Sequence, residues 1–190
     1  MINKRKHLKL PRMTYMRQFN MGSDHIFNIE HIIFIHIMIM LLWIPTVKVF
    51  AQIPPELDKA IIDETNLFRA ENGRPGLKEN KKLMEIAQGH ALKMALRDKY
   101  GDSGDSGHIM DGKSPKERII EGGYDYICFR ENVGFNIGYH NPVLRQIEEW
   151  KRSSSHRNNM LNEKFTEIGA AAVKGKSGRW YFVQLFGTPK

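Results

Sequence analysis

The chain has 190 residues, 41% hydrophobic and 26% charged, with a net charge of +8, a pI near 9.6 and one cysteine. This is a globular composition, which excludes wholesale disorder. A single cysteine excludes an internal disulfide framework, a zinc-finger cluster and a CxxC redox pair. The positive balance would suit a nucleic acid or an anionic membrane, depending on where it sits.

It sits mostly at the N-terminus. Residues 1–51 hold Lys4, Arg5, Lys6, Lys9, Arg12, Arg17 and Lys48 against only Asp24 and Glu30. The apolar run Ile32–Ile44, broken only by His36, has 13 residues. At about 1.5 Å each it spans roughly 20 Å, short of a hydrocarbon core of about 30 Å. Pro45 and then Val49-Phe50-Ala51 follow, with small residues at the −3 and −1 positions that signal peptidase reads. The segment predicts a signal peptide cut after Ala51, leaving residues 52–190 as one domain. Counting the less apolar flanks gives the alternative of an uncleaved N-terminal anchor, the one reading that leaves the protein on a membrane. Beyond residue 51 there remain 22 basic and 19 acidic residues, a net +3, with the basic ones scattered among acids. That argues against a nucleic-acid partner and for an exported protein: periplasmic, cell-surface or extracellular.

Pro54-Pro55 opens a first helix, with Leu57, Ile61 and Phe68 on one face, and Gly73-Arg74-Pro75-Gly76 ends it. A second helix is expected over about 80–100, where Leu83, Ile86, Ala87, His90, Ala91 and Met94 form an apolar stripe. His90 lies within that stripe and reads as a hydrogen-bonded core histidine. A Gly/Ser/Asp loop, 101–107, precedes His108. Ser114 and Pro115 predict the cap and first residue of a short helix to Glu121. Tyr126–Phe135 reads as a strand. Asn141-Pro142 starts a helix with Val143, Ile147 and Trp150 inward. Glu167–Val173 and Trp180–Phe186 are expected strands, the latter almost continuously apolar, as when both faces are covered. Helices followed by a doubly covered sheet predict an α/β/α sandwich.

Several motifs resolve into ordinary structure. The GDSG pair within 101–107 resembles a serine-protease nucleophile loop, but the chain is too short for two barrels and lacks matching His and Asp contexts. Asp102, Asp105 and Asp111 do not have EF-hand spacing. The run Ser153-Ser154-Ser155-His156 lacks an orienting acid and an oxyanion hole. Cys128, in an apolar strand pattern, is expected to be a buried small hydrophobe. His108, Glu131 and His156 fall on a loop, a strand and a turn after a helix. If the fold brings them together, they could hold a divalent metal (Zn, Mg or Ca) or act as acid/base groups.

At this point the residues resemble a family. Asn66-x-x-Arg69-x-x-x-Gly73, Leu77-x-x-Asn80-x-x-Leu83-x-x-x-Ala87-x-x-His90-Ala91-x-x-Met94, His108 before Asp111-Gly112-Lys113-Ser114 and Arg118, and Glu131-Asn132-Val133-Gly134 are followed in order by three more segments. These are Trp150-x-x-Ser153-x-x-His156-Arg157-x-Asn159-x-Leu161, Ile168–Ala171 and Tyr181–Gly187. Together they resemble the CAP superfamily, the SCP-like domains of cysteine-rich secretory, antigen 5 and pathogenesis-related 1 proteins, in its bacterial disulfide-free branch. The family's usual glycine before the glutamate is Arg130 here. The resemblance implies an α/β/α sandwich with a central, mostly antiparallel sheet and a cleft. In many members two histidines and two glutamates of the cleft can hold a divalent metal. His108, Glu131 and His156 match three of them, and Ser153 replaces the second glutamate. The expectation is a monomeric, non-enzymatic protein whose cleft takes an apolar molecule, a peptide or a divalent metal. The alternatives are a metal-assisted hydrolase using His108, Glu131 and His156, and a surface interaction protein with a purely structural cleft.

Overall fold

A computed structural model describes residues 55–102 and 107–190. The expected leader, residues 1–51, lies outside them, as do Asp105 and most of the GDSG loop. The elements are α1 (Pro55–Glu71), β1 (Lys78–Glu79), α2 (Lys81–Arg97), α3 (Pro115–Glu121), β2 (Tyr126–Asn136), α4 (Pro142–Arg152), α5 (Ser154–Leu161), β3 (Glu167–Lys174) and β4 (Trp180–Pro189). The four strands form one sheet in the order β1-β3-β4-β2, antiparallel except for the short β1–β3 pair. Two elements went unread in the sequence: the two-residue β1, and α5, which turns the supposed turn around His156 into a helix.

Alternation along β3 and β4 builds two cores. Ala171, Val173, Tyr181, Val183 and Leu185 point to one face and pack under α2 with Leu83, Ala87, Ala91 and Met94. Ala170, Ala172, Phe182 and Phe186 point to the other, against Ile61 of α1, Ile147 and Trp150 of α4 and Met160 of α5. Period-2 side chains buried on both faces make β4 read as a continuous apolar run. α2 lies so close to β3 that a Cβ on Gly169 would sit 2.2 Å from the Leu83 carbonyl carbon.

Side chains cover parts of the outer edges of β3 and β2. On β3, past its pairing with β1, the Ala170 N–H donates to the Met84 sulfur at 3.2 Å and the Ala172 N–H to Asp58 Oδ1 at 2.8 Å. On β2, Trp150 Nε1 donates to the Val133 carbonyl at 3.1 Å and Asn159 Nδ2 reaches the Glu131 carbonyl at 3.5 Å. Backbone groups that would otherwise be orphaned at an edge thus find partners.

Family-motif residues have structural work here. Asn66 trades two hydrogen bonds with the Leu77 backbone and pins the chain leaving α1. Arg69, fully buried, donates to the carbonyls of Pro75, Met160 and Asn162 and ties α1 to the end of α5. Asn80 caps α2 by accepting from the N–H groups of Lys82 and Leu83. Cys128 is half-buried rather than buried, because it lies on the edge strand β2, with its Sγ 3.5 Å from Thr188 Oγ1.

Candidate functional site

The site is built around Glu131. Its position on β2 points its side chain to the α2–α3 side of the sheet, with a side-chain exposure of only 2%. The N-terminus of α3 is fixed by a capping box between Ser114 and Glu117, with Pro115 in its first turn. One turn on, Arg118 reaches back to the sheet. Its Nη2 donates to both Glu131 oxygens, at 2.9 and 2.8 Å, and its Nη1 donates to the Lys113 carbonyl at 2.7 Å. His108 approaches from the loop before α3, with Nδ1 3.0 Å from Glu131 Oε1. A carboxylate only accepts, so Nδ1 donates and Nε2 is the nitrogen left for a ligand.

Behind this cluster lies a buried polar chain. Gln184 Nε2 donates to Thr65 Oγ1 at 2.6 Å, Asn132 Nδ2 to Gln184 Oε1 at 3.1 Å, and Asn159 Nδ2 to Asn132 Oδ1 at 2.9 Å. It links α1, β4, β2 and α5 and holds the wall of the site in register. His90 is the core histidine the stripe predicts. It is 1% exposed, its Nε2 donates to the Gly107 carbonyl at 2.9 Å, and burial lowers its pKa to about 4.

Two clefts flank the cluster. The first, of about 600 Å³, is lined by His108, Glu131, Phe129, Arg130, Pro115 and Lys116, with Ser155, Asn158 and Asn159 of α5 opposite. The second, of about 430 Å³, is lined by Trp150, Ser153, His156, Gln146, Phe135 and Tyr100. The structure therefore joins His108 to Glu131 directly and places His156 at the neighbouring cleft. The His156 ring centroid is 6.4 Å from that of Trp150, and burial, then the nearby His108, lowers its pKa. Ser153 Oγ pairs with Ser155 Oγ at 3.2 Å. Asp102 accepts from the Gly112 N–H, and Asp111 is ion-paired with Arg97 and Lys93.

These donors do not fit a resident divalent cation. Both Glu131 oxygens already carry Arg118, and one also carries His108. Among the described residues no group of three or more His, Cys, Asp or Glu side chains is arranged to hold a metal ion. Among those residues, too, no serine or cysteine hydrogen-bonds to the ring of His108 or His156. Of the groups that matter, Arg118 was visible in the sequence only as a motif residue. Nothing in its spacing reveals that it bridges Glu131. Lys116 carried no local signal, Arg130 stood out only as the residue in place of the family's usual glycine, and Gln184 only as part of the Tyr181–Gly187 segment.

The model of the CAP cysteine-rich secretory protein family matches residues 62–186. A curated relative, "Uncharacterized membrane protein YlbC" of Bacillus subtilis, is 29% identical over 130 residues, covering 68% of this chain and 34% of its own. The chain thus spans about a third of that relative's length. Among solved structures, an extracellular protein containing an SCP domain from Bacillus anthracis superposes with a TM-score of 0.60 at 26% identity, covering 76% of this chain and 44% of that one. An outer surface protein from Borrelia burgdorferi also gives 0.60, at 23% identity, covering 70% and 92%. That likeness shows the fold. With the helix-covered mixed sheet, the ordered motifs and the family match in agreement, the chain belongs to the CAP cysteine-rich secretory protein family.

Proposed function

We propose that this domain is the non-enzymatic binding module of an exported protein, and that its first cleft takes a peptide segment bearing an acidic group. The observation that carries this is the charge balance of the cleft. Its one acidic side chain, Glu131, is neutralised by Arg118, while Lys116 and Arg130 on the rim make no ion pair among the described residues. The cleft is left net positive, with an apolar floor of Phe129 and Pro115 and an amide-bearing wall of Asn158 and Asn159. Its volume of about 600 Å³ lies in the range of ligand sites. Export is supported by the basic, apolar N-terminal segment ending in Val49-Phe50-Ala51. The extracellular Bacillus anthracis relative agrees with it. No helix among the described residues is long and apolar enough to cross a membrane.

The test is fluorescence anisotropy of the chain with a panel of labelled acidic and neutral peptides. Acidic peptides are expected to bind, and Lys116→Glu and Arg130→Glu are each expected to weaken binding by about tenfold. Mass spectrometry should recover the peptides uncut. Equal affinity for neutral peptides, or indifference to both charge reversals, overturns the reading. Cleavage lost in His108→Gln would instead establish a hydrolase.

A further inference from the structure

We propose that Arg118 is a built-in cation standing in a metal ion's place on Glu131, which makes Glu131 a positioning residue for His108 rather than a metal ligand. The geometry is direct. Arg118 Nη2 lies 2.9 and 2.8 Å from the two oxygens, nearly equidistant, where a chelated cation would sit. The third contact, His108 Nδ1 at 3.0 Å, occupies a further lone pair of Oε1.

The guanidinium is held from behind. Nη1 donates to the Lys113 carbonyl, and Lys113 is fixed by its bridge to Met110 and by the capping box that starts at Ser114. Side-chain exposures of 7% for Arg118 and 2% for Glu131 keep water from competing. A second cation on the same oxygens would meet a fixed positive charge in a poorly solvated site, where like charges repel far more than in water.

The consequence falls on His108. The carboxylate, locked by Arg118, accepts the Nδ1 proton and orients the ring so that Nε2 presents a lone pair to the cleft. The cleft thereby offers an acceptor aimed by a three-residue relay, without needing an ion to assemble it. The claim concerns the site's own construction and stands whatever ligand the cleft takes.

The experiment uses the full chain labelled with 15N-histidine, with His108 assigned by its loss in His108→Gln. Long-range 1H–15N spectra are expected to show neutral His108 protonated at Nδ1. Zinc titrations in a His108→Gln background, where Glu131 could act only as a direct ligand, are expected to give the same affinity with Glu131 or Glu131→Gln within about twofold. Arg118→Gln should gain about tenfold or more, and that gain should vanish in the Arg118→Gln/Glu131→Gln pair. An Nε2-protonated ring overturns the proposal. So does a zinc affinity that falls about tenfold with Glu131→Gln in the His108→Gln background, or no gain in Arg118→Gln. Should the variants fail to fold, the wild type decides: its Glu131 carboxyl 13C resonance stays put on addition of magnesium, a cation that takes carboxylate oxygens and not imidazole, if the proposal holds, and shifts if it does not.

Discussion

Asp58 is a buried carboxylate that accepts two hydrogen bonds. It is fully buried between α1 and the sheet, with Oδ1 accepting from the Ala172 N–H at 2.8 Å and Oδ2 from Gln88 Nε2 at 2.9 Å. Burial is the largest influence on its pKa and raises it, while the two hydrogen bonds pull the other way. Asp58→Asn keeps the acceptor for Ala172, and rotation of the Gln88 amide restores the second bond. The expected change at neutral pH is therefore within about 1 kcal/mol of wild type, or a gain. Asp58→Ala leaves the Ala172 N–H buried without a partner. It should cost about 2–3 kcal/mol, an orphaned donor plus a small cavity. In a domain of this size that lowers Tm by roughly 6–15 °C. The pH dependence follows from the raised folded-state pKa. Asp58 contributes most below its unfolded value, and that contribution is lost as pH rises above about 4 through the folded value. Asp58→Asn should therefore gain on the wild type as pH rises through that window. Urea melts of wild type, Asp58→Asn and Asp58→Ala from pH 4 to 7 measure this. An Asp58→Asn variant less stable than wild type by more than about 1.5 kcal/mol, with a deficit that grows with pH, would refute the reasoning, since the charge itself would then be stabilising.

Other substitutions probe the rest of the frame. Gly169→Ala drives a Cβ to 2.2 Å from the Leu83 backbone, so α2 must lift from β3; soluble yield and near-UV circular dichroism should show loss of the native fold. Gln184→Leu breaks the buried chain and takes one hydrogen bond from each of Thr65 and Asn132, which keep their bonds to the Ile61 and His156 carbonyls, so a loss of about 1–2 kcal/mol is expected in denaturant melts. His90, with its pKa lowered to about 4, stays neutral in the fold while the unfolded chain takes up a proton from about pH 6.5 downward. Its contribution to stability is thus complete above pH 6.5 and is lost as pH falls toward 4; His90→Gln should flatten that part of the stability–pH curve.

What the sequence revealed depended on whether the governing interaction was local. Periodicity placed α1, α2, α4 and the three long strands, because Leu83, Ala87, Ala91 and Met94 repeat at helical spacing and β4 is apolar throughout. Caps such as Ser114 and Asn141 gave helix starts. β1 was invisible because two residues, Lys78 and Glu79, hold no pattern and are strand only by pairing with Glu167 and Ile168. α5 was masked by its Ser-Ser-His-Arg-Asn-Asn composition, poor in strong helix formers, and it forms where its buried Met160 packs into the core with Trp150. In the site, Glu131 and His108 were legible as residue types in a family pattern. Their bridge to Arg118 was not, since a salt bridge between a helix and a strand leaves no periodic trace.

The side-chain caps on the rims of the sheet bear on how this domain can meet other chains. Asp58 and Met84 seal one margin, and Trp150 and Asn159 seal the other, each with a side chain where a neighbouring strand would otherwise bond. Along these stretches, partner recognition by strand donation, which reads main chain and tolerates many sequences, would have to displace those side chains. A partner docking there is read through side chains, which favours selectivity over promiscuity. The same four residues guard the domain against self-templated stacking when many copies crowd together.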